Sequence, residues 1–259
     1  MRIAHHMFTW TSWHAQNDRP LDADAMLAAI KEAGYDGVEL MNAAEHFGPA
    51  SATAGRLAAH GLQAAAYASF VNARPGDPRG YRADLDYAGE LGITTIMVCG
   101  GWLAEPRRTT FEEDYAAFGE SLAIAVADAE AHGQTIAFHP HTGCIVETHE
   151  EVERLLAHIP DLKLCIDTGH LTAVRSDPAK VAAAYPDKIV HTHLKDWSVK
   201  DGEFAELGMG DAGLDLAGYL RTLREIGYGG WYVVERDNPR VTPAESARIG
   251  RSYLARILS

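Results

Sequence analysis

Residues 163–196 read KLCIDTGHLTAVRSDPAKVAAAYPDKIVHTHLKD, and the order of segments within them indicates the fold class. Two short runs that contain Leu, Ile or Val, Lys163–Asp167 and Ile189–Leu194, lie on either side of a helical segment, Pro178–Ala184. Short runs of this composition, bounded by Gly, Asp or Pro, are typical of parallel strands that are buried on both faces. The stretch therefore predicts two buried strands joined by a helix.

The same alternation continues in both directions along the chain. Further strands are predicted at Arg2–Met7, Gly37–Met41, Gln63–Ala68, Thr94–Cys99, Thr135–His139 and Trp231–Glu235. The other predicted helices are Asp22–Ala33, Ala52–His60, Ala83–Leu91, Phe111–His132, Thr148–Ala157, Leu214–Ile226 and Pro243–Leu258. Several of these helices are followed by a glycine, as the first one is by Gly34, and glycine is the usual residue just past a helix.

Eight strands alternating with eight helices predict a single (β/α)8 TIM barrel, and the length of 259 residues is typical of that fold. An open, doubly wound sheet shows the same alternation and is the alternative. No GxGxxG or GxxxxGK(S/T) motif follows the first predicted strand, so the nucleotide-binding versions of that sheet lose their main support. No linker or repeat divides the chain, and one domain is expected over residues 1–259.

Charge and cysteine content limit the classes of partner. The chain has 36 acidic and 23 basic residues and a net charge of −13, which argues against nucleic acid or an anionic membrane as the partner. The three cysteines show no CxxC spacing, so neither a disulfide framework nor a thiolate zinc site is predicted. The first residues lack the apolar core of a signal peptide, and no segment has the length of a membrane span. The expected location is the cytoplasm.

Ionisable residues collect where the last four barrel strands are predicted to end. The four groups are His139 and His141 with Glu147, Asp167 with His170, His191 and His193 with Lys195, and Glu235 with Asp237. In a TIM barrel the carboxyl ends of all strands open into one shared mouth, so these groups are expected to lie close together. Carboxylates mixed with imidazoles suit Mn²⁺, Co²⁺, Mg²⁺ or Zn²⁺. A single histidine at a strand end is as often structural as functional, but agreement among four strand ends favours a metal-binding active site.

The motifs in these segments resemble those of a known family. Residues 139–148, HPHTGCIVET, look like the HPHTGxxVET segment of inosose (keto-myo-inositol) dehydratases, and residues 164–170, LCIDTGH, resemble their LCxDTGH segment. Residues 191–196, HTHLKD, match HxHLKD, while residues 206–211 and 233–237 resemble their LGxGxxD and VVExD segments. The resemblance covers the second half of the chain, from about residue 135. It identifies the chain as a member of the xylose isomerase-like group of sugar isomerases, epimerases and dehydratases.

The resemblance implies metal ligands at Asp167, His193 and Glu235. Related epimerases have a fourth ligand, a glutamate, at the end of the fifth strand, where this chain has His139. Glu147 is the favoured fourth ligand because it would keep the charge of the site, and His139 and His141 are the alternatives. His170 resembles a histidine that binds substrate in the epimerases.

A site of this kind predicts chemistry next to a ketone. A divalent ion polarises the carbonyl group and stabilises the enediolate that forms when the adjacent C–H loses its proton. His139, His141 and His170 are expected to surround the ketone, and at least one of them to transfer the proton. Lys195 could hold a substrate oxygen or protonate a departing hydroxyl, or it could form a structural ion pair with Asp196. Isomerisation, epimerisation and dehydration all remain open.

Two further residues are candidates for contact with the substrate, a small keto-sugar or keto-cyclitol. Glu39 at the end of the second strand could bind a hydroxyl group or close the barrel mouth, and Trp102 after the fourth strand could form an apolar wall. One competing function is metal-dependent hydrolysis, as in the related apurinic endonucleases, which the charge of −13 disfavours. Another is a sugar-binding barrel without catalysis, which has no need of the ionisable groups. The subunit count stays open, a homo-oligomer included.

Overall fold

The computed structural model describes residues 1–71, 81–103 and 106–258 and contains a closed barrel of eight parallel strands. The ten strands are β1 Arg2–His6, β2 Gly37–Met41, β3 Gln63–Val71, β4 Thr95–Gly100, β5 Thr135–Phe138, β6 Lys163–Asp167, β7 Ile189–Leu194, β8 Asp196–Ser198, β9 Glu203–Ala205 and β10 Trp231–Val234. Strands β1 to β7 and β10 form the barrel, in which β1 pairs with both β2 and β10. Strands β8 and β9 form a separate antiparallel hairpin.

Helices surround the barrel on the outside. They are α1 Phe8–Gln16, α2 Ala23–Glu32, α3 Ala43–Phe47, α4 Ala50–Ala59, α5 Tyr81–Glu90, α6 Glu112–Ala131, α7 His149–His158, α8 Thr168–Ala173, α9 Pro178–Ala184, α10 Leu216–Glu225 and α11 Pro243–Leu258. One large cluster of buried apolar side chains fills the space between the strands and these helices. Within the described ranges, no helix combines the length and the apolar character that crossing a membrane requires.

The structure confirms the predicted barrel and excludes the open sheet, because the pairing of β1 with β10 closes the ring. The eight predicted strands are the eight barrel strands, and the largest difference is at β3, which continues past Ala68 to Val71. Gly34, predicted to follow α2, has a φ of +94°, a conformation that favours glycine. Helices α1, α3 and α8 and the β8–β9 hairpin are additions that the sequence patterns do not predict.

Candidate active site

A cavity of about 310 Å³ opens at the carboxyl ends of the barrel strands. Its lining consists of His6, Phe8, Met41, Phe70, Met97, Cys99, Trp102, His139, His141, His170, Lys195, Glu235, Asp237 and Asn238. A larger hollow of about 630 Å³ lies beside α8, α9 and the start of α10, and no histidine or lysine is among the described residues that line it. The cavity at the barrel mouth is therefore the candidate active site, since the ionisable groups converge there.

Four buried side chains from four strand ends meet below this cavity. His139, Asp167, His193 and Glu235 each offer one nitrogen or oxygen atom, and these atoms all lie within 4.8 Å of one another. Oδ2 of Asp167 is 3.3 Å from Nε2 of His139 and 3.7 Å from Nδ1 of His193, and Oε2 of Glu235 is 3.1 Å from the same Nδ1. Two ligands of one ion, each about 2.1 Å from it at a tetrahedral angle, lie about 3.4 Å apart. The spacing fits a shared ion.

His193 supplies a second observation that fits a metal. Among the described residues, its buried Nδ1 atom has no partner in hydrogen-bonding geometry, although Oε2 of Glu235 lies 3.1 Å and Oδ2 of Asp167 3.7 Å away. Its other nitrogen, Nε2, is 3.0 Å from Oε2 of Glu39. A metal-bound histidine commonly uses one ring nitrogen for the ion and the other for a carboxylate. Burial alone would lower the pKa of His193, but Glu39 and Glu235 raise it to about 10, so a metal ion must displace a proton there.

The two carboxylates of the cluster are ionised despite their burial. Burial opposes ionisation of Asp167, but Lys195, His170 and His139 hold its pKa well below the usual range. Burial also opposes ionisation of Glu235, and Lys195 and nearby histidines hold its pKa well below the usual range. Oδ1 of Asp167 accepts a hydrogen bond from the backbone N–H of His170 (2.8 Å), which orients the carboxylate at the start of α8. Both groups are thus in the form that a cation requires.

Lys195 lies at the centre of the charged groups. Its Nζ atom is 2.8 Å from Glu235, 3.0 Å from Asp237 and 3.5 Å from Asp167, and 3.2 Å from Nε2 of His170. Only 1% of the side chain is exposed, and these three carboxylates outweigh the effect of burial and raise its pKa. The ion pair with Asp196 that the sequence left open does not form; Asp196 instead accepts hydrogen bonds from the backbone of the following loop. Lys195 therefore belongs to the charged cluster that lines the cavity, and its role in catalysis stays a prediction.

Three histidines predicted to surround a ketone line the same wall of the cavity. The rings of His141 and His170 are 3.8 Å apart, and that of His139 is 5.4 Å and 5.1 Å from them. Burial lowers the pKa of His141 to about 3, and burial together with Lys195 holds the pKa of His170 well below the usual range. Both rings are therefore neutral at neutral pH. The structure brings these predicted residues together; their roles in catalysis stay predictions.

Glu147, the favoured fourth ligand in the sequence analysis, lies elsewhere. Its Oε1 accepts a hydrogen bond from the backbone N–H of Gly143 and is 3.2 Å from Nε of Arg107. The fourth position of the cluster is filled by His139, which was one of the alternatives. The physical reason is the turn after β5, which directs the Glu147 carboxylate to the Arg107 guanidinium.

Glu39 and Trp102, the two further candidates for contact with substrate, lie at different depths: Glu39 is below the cavity and Trp102 is at its mouth. Glu39 is fully buried below the cavity, where Oε2 is 2.8 Å from Nε2 of His191 and 3.0 Å from Nε2 of His193. It does not line the cavity, so the geometry favours orientation of His193 over the expected contact with substrate. Trp102 lines the mouth, is 48% exposed, and its ring is 4.7 Å from that of His141.

Asp237 and Phe204 are two residues near the site to which the sequence assigned no individual role. Asp237 contacts Lys195, and burial raises its pKa to about 6 although the lysine lowers it. Phe204 in β9 packs against His170, at 4.7 Å between ring centroids, and against Lys195, whose Nζ is 4.6 Å from the ring centroid. Asp237 was visible in the sequence, two residues after Glu235 and therefore on the same side of an extended chain. Phe204 gave no signal, because its position depends on the hairpin.

The chain belongs to the xylose isomerase-like TIM barrel family, whose model matches residues 27–257. It is 32% identical to the rhizopine catabolism protein MocC of Rhizobium meliloti, over 56% of this chain and 50% of that protein. It is 29% identical to the inosose dehydratase of Geobacillus kaustophilus (strain HTA426), over 69% of this chain and 68% of that enzyme. The matched region thus spans half of the first relative and about two thirds of the second.

A solved structure shows the same fold. The crystal structure of the IOLI protein with a bound zinc atom superposes with a TM-score of 0.78 at 20% identity, and the match covers 100% of this chain and 98% of that one. The family resemblance that the motifs implied is therefore confirmed by the family model and by the fold.

Proposed function

We propose that this protein is a divalent-metal-dependent dehydratase that acts on a small keto-cyclitol or keto-sugar. The observation that carries the proposal is the convergence of four metal-ligand side chains, one buried lysine and two further neutral histidines on one cavity at the barrel mouth. Membership of the family, and the similarity to an inosose dehydratase, support an enzyme that processes a sugar or cyclitol.

His139, Asp167, His193 and Glu235 would hold the ion. Two imidazoles with two carboxylates favour Mn²⁺, Co²⁺ or Zn²⁺ over Mg²⁺, which prefers oxygen ligands and water. When bound, such an ion supplies electrophilic polarisation of the substrate ketone and stabilises the negative charge that develops on its oxygen. Glu39 holds the ring of His193 through Nε2, which leaves Nδ1 for the ion.

His141 is the proposed general base. Its Nδ1 lies 2.7 Å from the carbonyl oxygen of Thr142, and because a carbonyl can only accept, Nδ1 carries the ring proton. In the neutral ring Nε2 is then the basic nitrogen. His170 is less suited, because both of its ring nitrogens are already engaged: Nε2 lies 3.2 Å from Nζ of Lys195, and Nδ1 lies 3.2 Å from the backbone N and 2.9 Å from Oγ1 of Thr142. His141 is therefore positioned to remove the proton next to the ketone.

Lys195 is the proposed donor to the departing hydroxyl group. Its ammonium group is fixed by Glu235, Asp237 and His170, and it also lines the cavity. A fixed positive charge next to the leaving oxygen stabilises the charge that develops there. The ring of Phe204 also packs on the ammonium group, with its centroid 4.6 Å from Nζ.

The distribution of ionisable groups favours dehydration over epimerisation. Among the described residues, the proton-transferring side chains of the cavity come from β1 and from the strand ends of β5, β6, β7 and β10, whereas β2, β3 and β4 contribute Met41, Phe70, Met97 and Cys99. Burial raises the pKa of Cys99, which keeps it a neutral thiol. Elimination can use an acid and a base on one side of the ring, whereas epimerisation delivers a proton to the opposite face.

Turnover assays with defined metal content test the proposal. We expect protein depleted of metal by a chelator and reloaded with Mn²⁺ or Co²⁺ to convert keto-inositol to a product that has lost one water, as detected by mass spectrometry. The chelated protein should be inactive. An epimeric ketone without loss of water would contradict dehydration, and no reaction of keto-inositols or ketohexoses with any of the ions would contradict the proposed function.

A further inference from the structure

The cavity has two chemically different sides. The side formed by β5, β6, β7 and β10 is charged or polar and contains the proposed metal ligands, general base and proton donor. Among the described residues, the opposite side is formed by Met41 of β2, Phe70 of β3, Met97 and Cys99 of β4, together with Phe8 and Trp102, and His6 of β1 lies between the two sides. Met41, Met97 and Cys99 are at most 9% exposed, whereas Phe70 and Trp102 are 38% and 48% exposed. The buried part of this side is thus formed by sulfur-containing side chains, and its outer part by aromatic rings.

The size of the cavity limits the ligand to about one ring. Small-molecule sites usually have volumes of about 300–1,000 Å³, and this cavity of about 310 Å³ is at the lower end of that range. A ring whose ketone points to the metal ligands must therefore direct its remote carbons to the apolar side. The rings of Phe70 and Trp102, with centroids 6.3 Å apart, line that side near the opening.

A fully hydroxylated ring matches this apolar side poorly. A hydroxyl group that leaves water and meets a thioether, a thiol or an aromatic ring loses its hydrogen bonds without replacement. Thioether sulfur is a weak acceptor, and the protonated thiol of Cys99 is a weak donor. A carbon without oxygen, or one that carries an alkyl group, gains from the same contact, since each buried CH₂ strengthens binding by about fourfold.

We propose that the substrate is a single-ring keto compound that carries a deoxygenated or O-alkylated carbon on the side remote from its ketone. The inference rests on the proposed function for the orientation of the ring, and it adds the class of substituent that the apolar side recognises. The thioethers of Met41 and Met97 set the preference, because they form the buried part of the side that the substituent reaches. Thioether side chains fill irregular apolar gaps and adapt to different substituents.

Binding of unreactive ligands tests the inference without turnover. The ligands are inositol, its mono-O-methyl ethers and its monodeoxy analogues, and the measurement is the Kd for protein loaded with Mn²⁺, obtained by calorimetry. We expect at least one ether or deoxy compound to bind about 10-fold more tightly than inositol. Comparison of the ethers with the deoxy analogues shows whether the preferred apolar group is an O-alkyl substituent or a deoxygenated carbon. Equal or tighter binding of inositol compared with every analogue, or no binding by any of these ligands, would overturn the inference.

Substitutions on the apolar side provide the matched test. Met97→Gln keeps the length of the side chain and adds an amide, so the preference for the apolar ligand should fall about 10-fold, whereas Met97→Leu should keep it. Met41→Gln and Met41→Leu repeat the comparison on β2, and thermal melts identify any variant that does not fold. Turnover assays with the ketones that correspond to inositol, its ethers and its deoxy analogues distinguish failure of the proposed function from failure of the present inference. If no ketone of either kind reacts, the proposed function fails; if only the fully hydroxylated ketone reacts, the present inference fails.

Discussion

At the scale of single residues, the site depends on a balance of buried charge. Asp167, Glu235 and Asp237 approach one another around the ammonium group of Lys195. Gly169 allows the lysine to reach this position, because a Cβ atom there would lie 2.8 Å from both Cβ and Cγ of Lys195. Buried charges are tolerated only when they are paired, so the protein needs a cation at this point.

Replacement of Lys195 by an uncharged residue should make the stability of the protein depend on bound metal. We expect Lys195→Met to lower the free energy of unfolding of the metal-free protein by about 3–5 kcal/mol, because it leaves buried carboxylates unpaired. Added Mn²⁺ should recover much of this loss, since an ion binds only the folded state. Thermal melts with and without Mn²⁺ measure the effect, with Lys200→Met at an exposed position as the control. An equal loss of stability with and without Mn²⁺ would show that Lys195 does not act through these carboxylates.

The proposed base gives a second prediction at this scale. His141→Ala should reduce turnover by about 10²–10⁴-fold while the Kd for Mn²⁺ stays within about twofold of the wild-type value. His60→Ala, at the end of α4, is the matched control and should keep full activity. Steady-state kinetics and metal titration check both parts. Full activity of His141→Ala would assign the proton transfer to another group, and loss of the metal would make His141 a ligand.

At the scale of elements, the segment between β5 and α7 determines which side chain faces the cluster. Thr148 and Glu151 form a capping box at the start of α7. The Glu151 carboxylate accepts hydrogen bonds from the backbone N–H groups of Glu147 (2.8 Å) and Thr148 (3.1 Å), and Arg107 donates to it at 2.7 Å. This network holds the loop that carries His139 and His141. It also explains why Glu147 faces Arg107 and not the metal cluster.

The same network predicts how stability changes with pH. Burial alone would raise the pKa of Glu151, but Arg107 and the two N–H donors hold it below its ordinary value of 4.5. A depressed pKa in the folded state adds stability above the unfolded pKa, and this stability is lost as the pH falls through the folded pKa. Glu151→Gln should therefore lower stability by about 1–3 kcal/mol at pH 7. Urea unfolding at several pH values should show the difference from wild type shrinking below about pH 4.5. A difference that is constant with pH would contradict this role.

At the scale of the whole molecule, the barrel was predictable because each strand carries its own signal. The runs at β6 and β7 are short, apolar and bounded by turn residues, and eight such runs fit one closed sheet. Helix α1 was missed because FTWTSWHAQ has weak helix propensity and starts without a side-chain cap, and it is held by tertiary contacts such as those of buried Trp10. Strands β8 and β9 have three residues each, too few for a period-2 pattern.

Part of the metal site was also predictable, because the side chains that lie at strand ends have their positions set by the barrel. Asp167, His193 and Glu235 lie at strand ends, where the fold alone determines that their side chains converge. The fourth side chain was not determined in this way. Glu147 follows a turn whose direction depends on Arg107 from a distant loop, so no local pattern distinguishes it from His139. The packing of Phe204 on Lys195 also depends on contacts between distant parts of the chain, so no local sequence pattern predicts it.

Calorimetric titration of Mn²⁺ into wild-type protein and two variants is the most direct test of the metal site. We expect one ion per chain for the wild type, loss of at least 10-fold in affinity for His139→Ala, and wild-type affinity for Glu147→Gln. Circular dichroism confirms that each variant is folded. The absence of binding by the wild type, or loss of binding in Glu147→Gln with retention in His139→Ala, would contradict the assignment of His139, Asp167, His193 and Glu235 as the metal site.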